Sequence, residues 1–202
     1  EPAWIRSYDT QSISGSAAGA DLVIISHRSF LGRSETWANY RRGQGATVKV
    51  VDVDKIYDEY NYGVLAAEAV KAYLSDIYVN WANAPRYVLL MGDATYDPRN
   101  YQGAGDFNFV PTKLVTTVYT ETGSDEYLAD LDGDGLAEMA IGRIPARSDA
   151  EIDVAYNKTL LFESLLGTDP LSRGFTFAFD EPNGYDFEGM SGRMRDQLPS
   201  GT

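Results

Sequence analysis

Ala20–Phe30 reads ADLVIISHRSF, and Tyr87–Pro98 reads YVLLMGDATYDP. The unbroken apolar runs inside them, Asp21–Ser26 and Arg86–Met91, are the pattern of strands buried on both faces. Each run ends in polar and glycine residues, as strand ends do in an α/β sheet. Between them, Ser34–Gln44 carries Trp37, Tyr40 and Arg41 at helical spacing, with Gly45 placed to stop the helix. Thr47–Val53 (TVKVVDV) is a second strand. Leu65–Trp81 is a long helix whose Val70, Tyr73, Leu74, Ile77 and Trp81 form one apolar stripe. Strand, helix, strand, helix, strand at this spacing predicts crossover connections and a mostly parallel sheet flanked by helices.

The alternation breaks down after Gly92. Val110–Tyr119 is expected to hold a short edge strand, and Tyr127–Ala129 and Met139–Ile141 are expected to pair as a hairpin around an acidic loop. Ser148-x-x-Glu151 forms a capping box opening a helix, with Ile152, Ala155, Tyr156, Thr159, Leu160 and Phe162 on its apolar face. Residues 1–19 read as a linker or N-terminal extension without signal-peptide features, so a leader or preceding domain is expected to have been removed. Phe175–Phe179 (FTFAF) restarts the strand pattern, and Gly184–Leu198 leads into a helix. One strand and one helix leave an open sheet edge. The expectation is a first subdomain over 20–167 and an incomplete second one over 168–202.

The 202 residues are 44% hydrophobic and 12% aromatic, enough for a folded core. A net charge of -13 argues against nucleic-acid partners. It suits cation binding or simple solubility. There is no Cys, which excludes disulfides, thiolate metal sites and thiol catalysis within these residues. No apolar run is long enough for a membrane span.

The sharpest local chemistry is Asp130-Leu131-Asp132-Gly133-Asp134-Gly135-Leu136-Ala137-Glu138. Carboxylates at the first, third and fifth positions converge when glycine turns the chain, as a hard cation such as calcium requires. The Leu136 carbonyl and Glu138 would complete the shell. Ile141 at the twelfth position departs from an EF-hand loop, and the alternative is a solvated acidic turn. Mutual repulsion of the acids favours a structural calcium ion. The single His, His27, ends the first strand. It is either a general base or a capping side chain; without a nucleophile elbow beside it, capping is the better reading. Asp93, Asp97, Asp52 and Asp54 are read as turn and helix caps ahead of metal or phosphate ligands. Asp186 is either an N-cap or an acid facing a basic substrate group.

Taken in order, ADLVIISHRSF, YRRGQGATVKVVDVDKIYDEYNYG, PRYVLLMGDATYDP, SDEYLADLDGDGLAEMAIGRIPARS and FTFAFDEPNGYDF resemble peptidase family C25, the gingipain-like cysteine peptidases, over about residues 20–198. The resemblance implies a caspase-like, three-layer α/β fold of two subdomains, a polypeptide substrate and a secreted or cell-surface location. It implies a catalytic His in a Gly-His-Gly setting and a nucleophilic Cys after the next strand. Neither motif occurs here, and His27 does not correspond to that His. The closest positional match to the acid that contacts a P1 Arg in Arg-cleaving gingipains is Asp186. The expected chain is therefore scaffold, calcium site and part of a substrate pocket, inactive by itself. The rival expectation is a noncatalytic, calcium-stabilised extracellular interaction module.

Overall fold

The computed structural model describes residues 12–13, 15, 19–166, 168 and 186–197. Packing divides the chain into two units, residues 1–154 and 155–202. In the first, four parallel strands stand in the order β2-β1-β3-β6: β1 is Leu22–Ser26, β2 Val48–Asp52, β3 Tyr87–Met91 and β6 Ala140–Ile144. Their registers are flush. Leu22 lies opposite Val48 and Tyr87, and Tyr87 opposite Ala140, so all four strands finish at one edge. The α/β architecture with a parallel sheet expected from the apolar runs is what forms.

Alternate residues build the two faces. Val23, Ile25, Val51, Val88 and Leu90 pack in one core with Ile56 and Tyr57 of α2 (Val53–Asn61) and with Val70, Tyr73, Leu74 and Ile77 of α3 (Ala67–Asn80). On the other face, α1 (Leu31–Gly43) buries Trp37, Ala38 and Ser34. Here the Ser34 hydroxyl donates to the fully buried Ser26 Oγ at 2.8 Å, and Ser26 Oγ donates to the His27 carbonyl at 3.0 Å. Both of these serine hydroxyls have a partner, so the link locates α1 without stranding either of them. Gly45, at φ 94°, ends the helix as its position predicted.

Two expectations need correction. Tyr127–Ala129 and Met139–Ile141 do not form a hairpin. Residues Glu126–Ala129 make a one-turn helix, α4, and Ala140–Ile144 joins the main sheet beside β3. One bond, Glu138 N–H to the Ala129 carbonyl at 2.9 Å, spans the acidic loop. A five-residue parallel ladder beside a buried strand gives these apolar residues more burial than a two-stranded ribbon could. The hairpin lies earlier, where β4 (Lys113–Thr116) pairs antiparallel with β5 (Glu121–Ser124). The strand expected within 110–119 therefore exists, but it edges a separate small sheet. The helix α2 was not foreseen, although Asp52 caps it by accepting from Asp54 N–H at 3.0 Å.

Helix α5 spans Asp149–Leu165, with its first residues in the sheet unit and those from 155 on in the second. Glu151 N–H reaches Ser148 Oγ at 3.4 Å, but the Glu151 carboxylate takes the N–H of Arg147, not that of Ser148. Only half the capping box is made. Ile152 is fully buried, whereas Phe162 is exposed, so it leaves the expected apolar face. The strand expected at Phe175–Phe179 lies outside the described residues. Among the described residues, no helix is long and apolar enough to cross a membrane.

Arg143 holds the irregular connection between β3 and β6 in place. Its guanidinium grips Asp125 through two bonds of 2.8 and 2.7 Å and donates to the carbonyls of Gly92 (2.7 Å) and Val110 (2.6 Å). The Arg143 side chain is 11% exposed. Burial works against the Asp125 charge, but the hydrogen bonds and charge of Arg143 override it and hold the carboxyl below its ordinary range. Breaking a fully buried pair on one side costs about 3–5 kcal/mol, and this one, with the Asp125 side chain 25% exposed, falls below that. Arg143→Ala should destabilise the chain by about 2–3 kcal/mol in urea unfolding. Arg143→Lys should recover little, because an ammonium cannot make the planar two-pronged contact.

Candidate functional site

The order β2-β1-β3-β6 places a topological switch between β1 and β3, where open α/β sheets bind ligands at the carboxyl ends of strands. His27 stands at that point. Its backbone N–H donates to the Met91 carbonyl at 3.3 Å, and its Nδ1 accepts from Ser29 N–H at 3.3 Å. It thus caps the short 3-10 turn Arg28–Phe30. The ring lies edge-on to Phe30 and Phe109, with centroids 5.9 and 5.0 Å away. Burial lowers its pKa from the ordinary 6.5, so the imidazole is neutral at pH 7 and its proton sits on Nε2. The capping reading of this His fits the geometry.

The acids around it are committed to local structure. Asp93 pairs with Arg147 at 2.6 Å and takes Ala94 N–H at 2.9 Å. Asp97 accepts the N–H groups of Tyr101 and Gln102 at 3.0 and 2.7 Å. Asp52 caps α2, and Asp54 faces Arg28 at 3.4 Å. Gly92, at φ 137°, is required here: a Cβ would stand 2.8 Å from Phe109 Cβ, blocking the return of residues 107–110 over the strand end.

A cavity of about 240 Å³ opens among His27, Arg28, Asp54, Tyr57 and Asn108. Tyr57 was not foreseen as a site residue. The signal was available: Asp52 as cap, followed by Val53, Ile56, Tyr57 and Tyr60 at helical spacing, puts Tyr57 on the buried face of α2.

The acidic loop gathers Asp130, Asp132, Asp134 and Glu138, whose nearest carboxylate oxygens all lie within 4.8 Å of one another. Gly133 (φ 81°) and Gly135 (φ 91°) give the turn its left-handed positions. Asp130 accepts Gly133 N–H at 2.8 Å and Gly135 N–H at 3.2 Å, while Asp132 takes Asp134 N–H at 3.1 Å. Glu138 reaches back to Leu131 N–H. Leu136 lies on the same turn, its N–H donated to Asp134 Oδ1 at 2.8 Å. The cluster can hold a metal ion, and an all-oxygen donor set suits a hard one.

In the second unit, Asp186 is the N-cap of α6 (Phe187–Arg195), its Oδ1 accepting Gly189 N–H at 2.7 Å. It is exposed. The loop 180–185 before it lies outside the described residues.

These features define the class: a caspase-like α/β domain, with a parallel sheet flanked by helices. Residues 16–200 match the profile of peptidase family C25, and the chain belongs to that family. An uncharacterised protein of Archaeoglobus fulgidus is 28% identical over 124 residues, 61% of this chain and 25% of the relative. Dimeric latent PorU from Porphyromonas gingivalis superposes with a TM-score of 0.60 at 26% identity, over 71% of this chain and 16% of PorU. The Arg-specific cysteine proteinase gingipain R (RgpB) shares the fold at 18% identity and a TM-score of 0.54, over 73% of this chain and 29% of the proteinase. The chain thus spans about a quarter or less of the length of the first relatives it matches.

The neutral His27 and the Asp21 carboxyl give separate acid responses. Asp21 is drawn down to about 2, chiefly by hydrogen bonds from the Thr47 hydroxyl and N–H, and also by Asn83. For His27, the unfolded chain takes its proton near pH 6.5, before the folded chain does, so stability falls as pH drops through that region. Asp21 stabilises at pH values above the unfolded carboxyl pKa of 3.8, and that contribution is lost as pH falls towards 2. Urea midpoints measured from pH 7.5 to 5 should decline in the wild type and flatten in His27→Gln. Asp21→Asn should alter only the decline below about pH 4.

Proposed function

We propose that residues 20–167 are the first subdomain of a gingipain-like cysteine endopeptidase acting outside the cell, with residues 168–202 opening the second. The observation that carries this reading is the family match across residues 16–200 together with the four-stranded parallel sheet. The family chemistry is thiolate attack on a peptide carbonyl, with an imidazole protonating the leaving amine. These residues contain no Cys, and their one His is spent on a cap. On this reading the dyad comes from elsewhere in the protein, and this segment supplies scaffold, ion-pinned loop and part of the polypeptide pocket. Asp186 would face a basic substrate group there, giving up its cap when substrate binds.

The metal in the acidic loop is proposed to be calcium, held by Asp130, Asp132, Asp134, Glu138 and the Leu136 carbonyl. An exposed loop with these donors suits the affinities of extracellular calcium modules, about 10⁻⁴–10⁻³ M. The ion would offset the mutual repulsion of the acids and fix the chain between α4 and β6. Its role is structural.

A noncatalytic, calcium-stabilised interaction module is the second reading, favoured by the capping role of His27. A Gly-His-Gly followed by a Cys further along the gene separates the two, and replacing that Cys by Ala should abolish peptide turnover by the longer protein. The 202-residue chain itself should cleave no peptide. Turnover that His27→Ala abolishes would overturn both readings. With calcium at ten times its Kd, linkage predicts about 1.4 kcal/mol of stabilisation, or about 3–6 °C in Tm. Chelator, or Asp132→Asn with Asp134→Asn, should remove it; a melting curve indifferent to chelator would dispose of the calcium site.

A further inference from the structure

His27 is the single histidine of the chain, and three segments meet on it at the carboxyl edge of the sheet. The first is its own turn: Nδ1 accepts the Ser29 N–H at 3.3 Å, and the His27 carbonyl accepts the Phe30 N–H at 2.9 Å. The second is β3, through the Met91 carbonyl. The third is the long connection after Gly92, whose Phe109 ring lies 5.0 Å from both the His27 and the Phe30 rings. His27 and Phe30 are themselves 5.9 Å apart, so the three rings close a triangle in which every pair is edge-on.

The connection is anchored just beyond this triangle. The N–H groups of Phe109 and Val110 reach the Asp93 carbonyl at 3.0 and 3.1 Å, and Arg143 holds the Val110 carbonyl at 2.6 Å. Residues 94–108 form the loop before that anchor. Two side chains from the end of the sheet close on it: the His27 ring on Phe109, and the Arg147 guanidinium over Phe107 at 4.1 Å.

The His27 contact suits one protonation state. An imidazolium carries a proton on both nitrogens, so it would donate where Ser29 N–H also donates, and the cap is lost. Burial opposes the charge and holds the group below its ordinary 6.5. Asp54 and Asp52 face the ring from α2, Asp106 from the loop, and Arg28 from its own turn. Arg28 offsets Asp54 at 3.4 Å, which leaves Asp52 and Asp106 to attract a charged ring. Tyr57, the other titratable lining group, is kept neutral by burial, which pushes its phenol up. Taking a proton therefore costs the ring its cap and favours the carboxylates over the apolar contact.

We propose that His27 is an acid-released clasp: neutral, it fastens Phe109 and the loop 94–108 over the end of the sheet, and protonated, it lets go of Ser29 and Phe109 and opens the carboxyl edge at the switch point. The step is local to one loop and precedes unfolding. It does not rest on the peptidase reading.

One histidine gives one imidazole signal, so the test is an NMR titration of the isotope-labelled full chain from pH 7.5 to 5. At pH 7.5 the ring nitrogens should report the Nε2–H tautomer. The ring, the Ser29 amide and the Phe109 amide should move with one common midpoint below 6.5. NOEs between the His27 and Phe109 rings should disappear in the acid form. Exchange of the Ser29 amide, corrected for pH, should rise about two- to tenfold across the step, as loss of one hydrogen bond implies. Val23, at the centre of the sheet, should keep its protection. In His27→Gln the step at Ser29 and Phe109 should vanish, because a carboxamide has no proton to take. In Phe109→Ala the ring midpoint should rise towards 6.5 as water reaches the imidazole.

The clasp is refuted if Ser29 or Phe109 stays still while the ring titrates, or if the ring-to-ring NOEs survive in acid. A neutral ring protonated on Nδ1, or a step retained in His27→Gln, refutes it equally. So does loss of Val23 protection at the same midpoint, since the transition would then be global. Should either variant fail to fold, the wild-type titration decides.

Discussion

The half-buried ion pair between Arg143 and Asp125 is the constraint on which the carboxyl edge depends. The sheet needs only its four strands and their covering helices, but after Gly92 and Asp93, whose N–H groups bond the Ile144 and Ala146 carbonyls, the chain as far as Asp125 adds no strand to it. Arg143 projects from β6 into that segment and gathers it by its carbonyls and by one carboxylate. Desolvating a guanidinium is costly, and an apolar residue of similar volume could be as stable. What an apolar residue could not do is fix three chain segments at defined distances. The arrangement of Gly92, Val110 and Asp125 follows from the donors of one side chain.

The same economy explains why the chemistry-bearing residues at this edge turn out to be structural. Asp93, Asp97 and Asp52 each meet backbone N–H groups that the ends of strands and turns leave over. His27 does so too. Its Nδ1 is committed to a cap, and burial favours the neutral ring.

The strands β1 and β3 were legible because DLVIIS and RYVLLM are unbroken apolar runs; β1 is buried on both faces, whereas Tyr87 of β3 is exposed and Leu89 half-buried. The stripe of α3 was legible for the same reason: Val70, Tyr73, Leu74 and Ile77 are all fully buried. Where the sequence misled, competing partners were responsible. Residues 140–144 (AIGRI) mix apolar, small and charged groups, a pattern that satisfies a hairpin or a sheet edge equally, and only the vacancy beside β3 decides. The α2 helix was hidden because its cap, Asp52, is also the last residue of β2, so strand and helix run together without a loop. The acidic loop could be read from its glycine spacing, since positive φ at Gly133 and Gly135 is what lets alternate carboxylates converge. Arg143 could not be read as a site residue, and the spacing of α2 marked Tyr57 only as a buried position. Their importance lies in which distant carbonyls, or which empty space, the fold brings beside them.

Tyr57 and Arg143 make opposite cases of one rule. Both carry polar atoms into the interior, where every unpaired donor costs stability. Arg143 meets carbonyls and a carboxylate on all sides, and its contribution is the rigidity of the edge. Tyr57 lies on the buried face of a helix whose packing is otherwise apolar, and phenylalanine would fill that place without loss. Its hydroxyl, like that of Tyr73 in the same core, is buried without a hydrogen-bond partner among the described residues, a standing cost that the apolar packing around both rings has to offset.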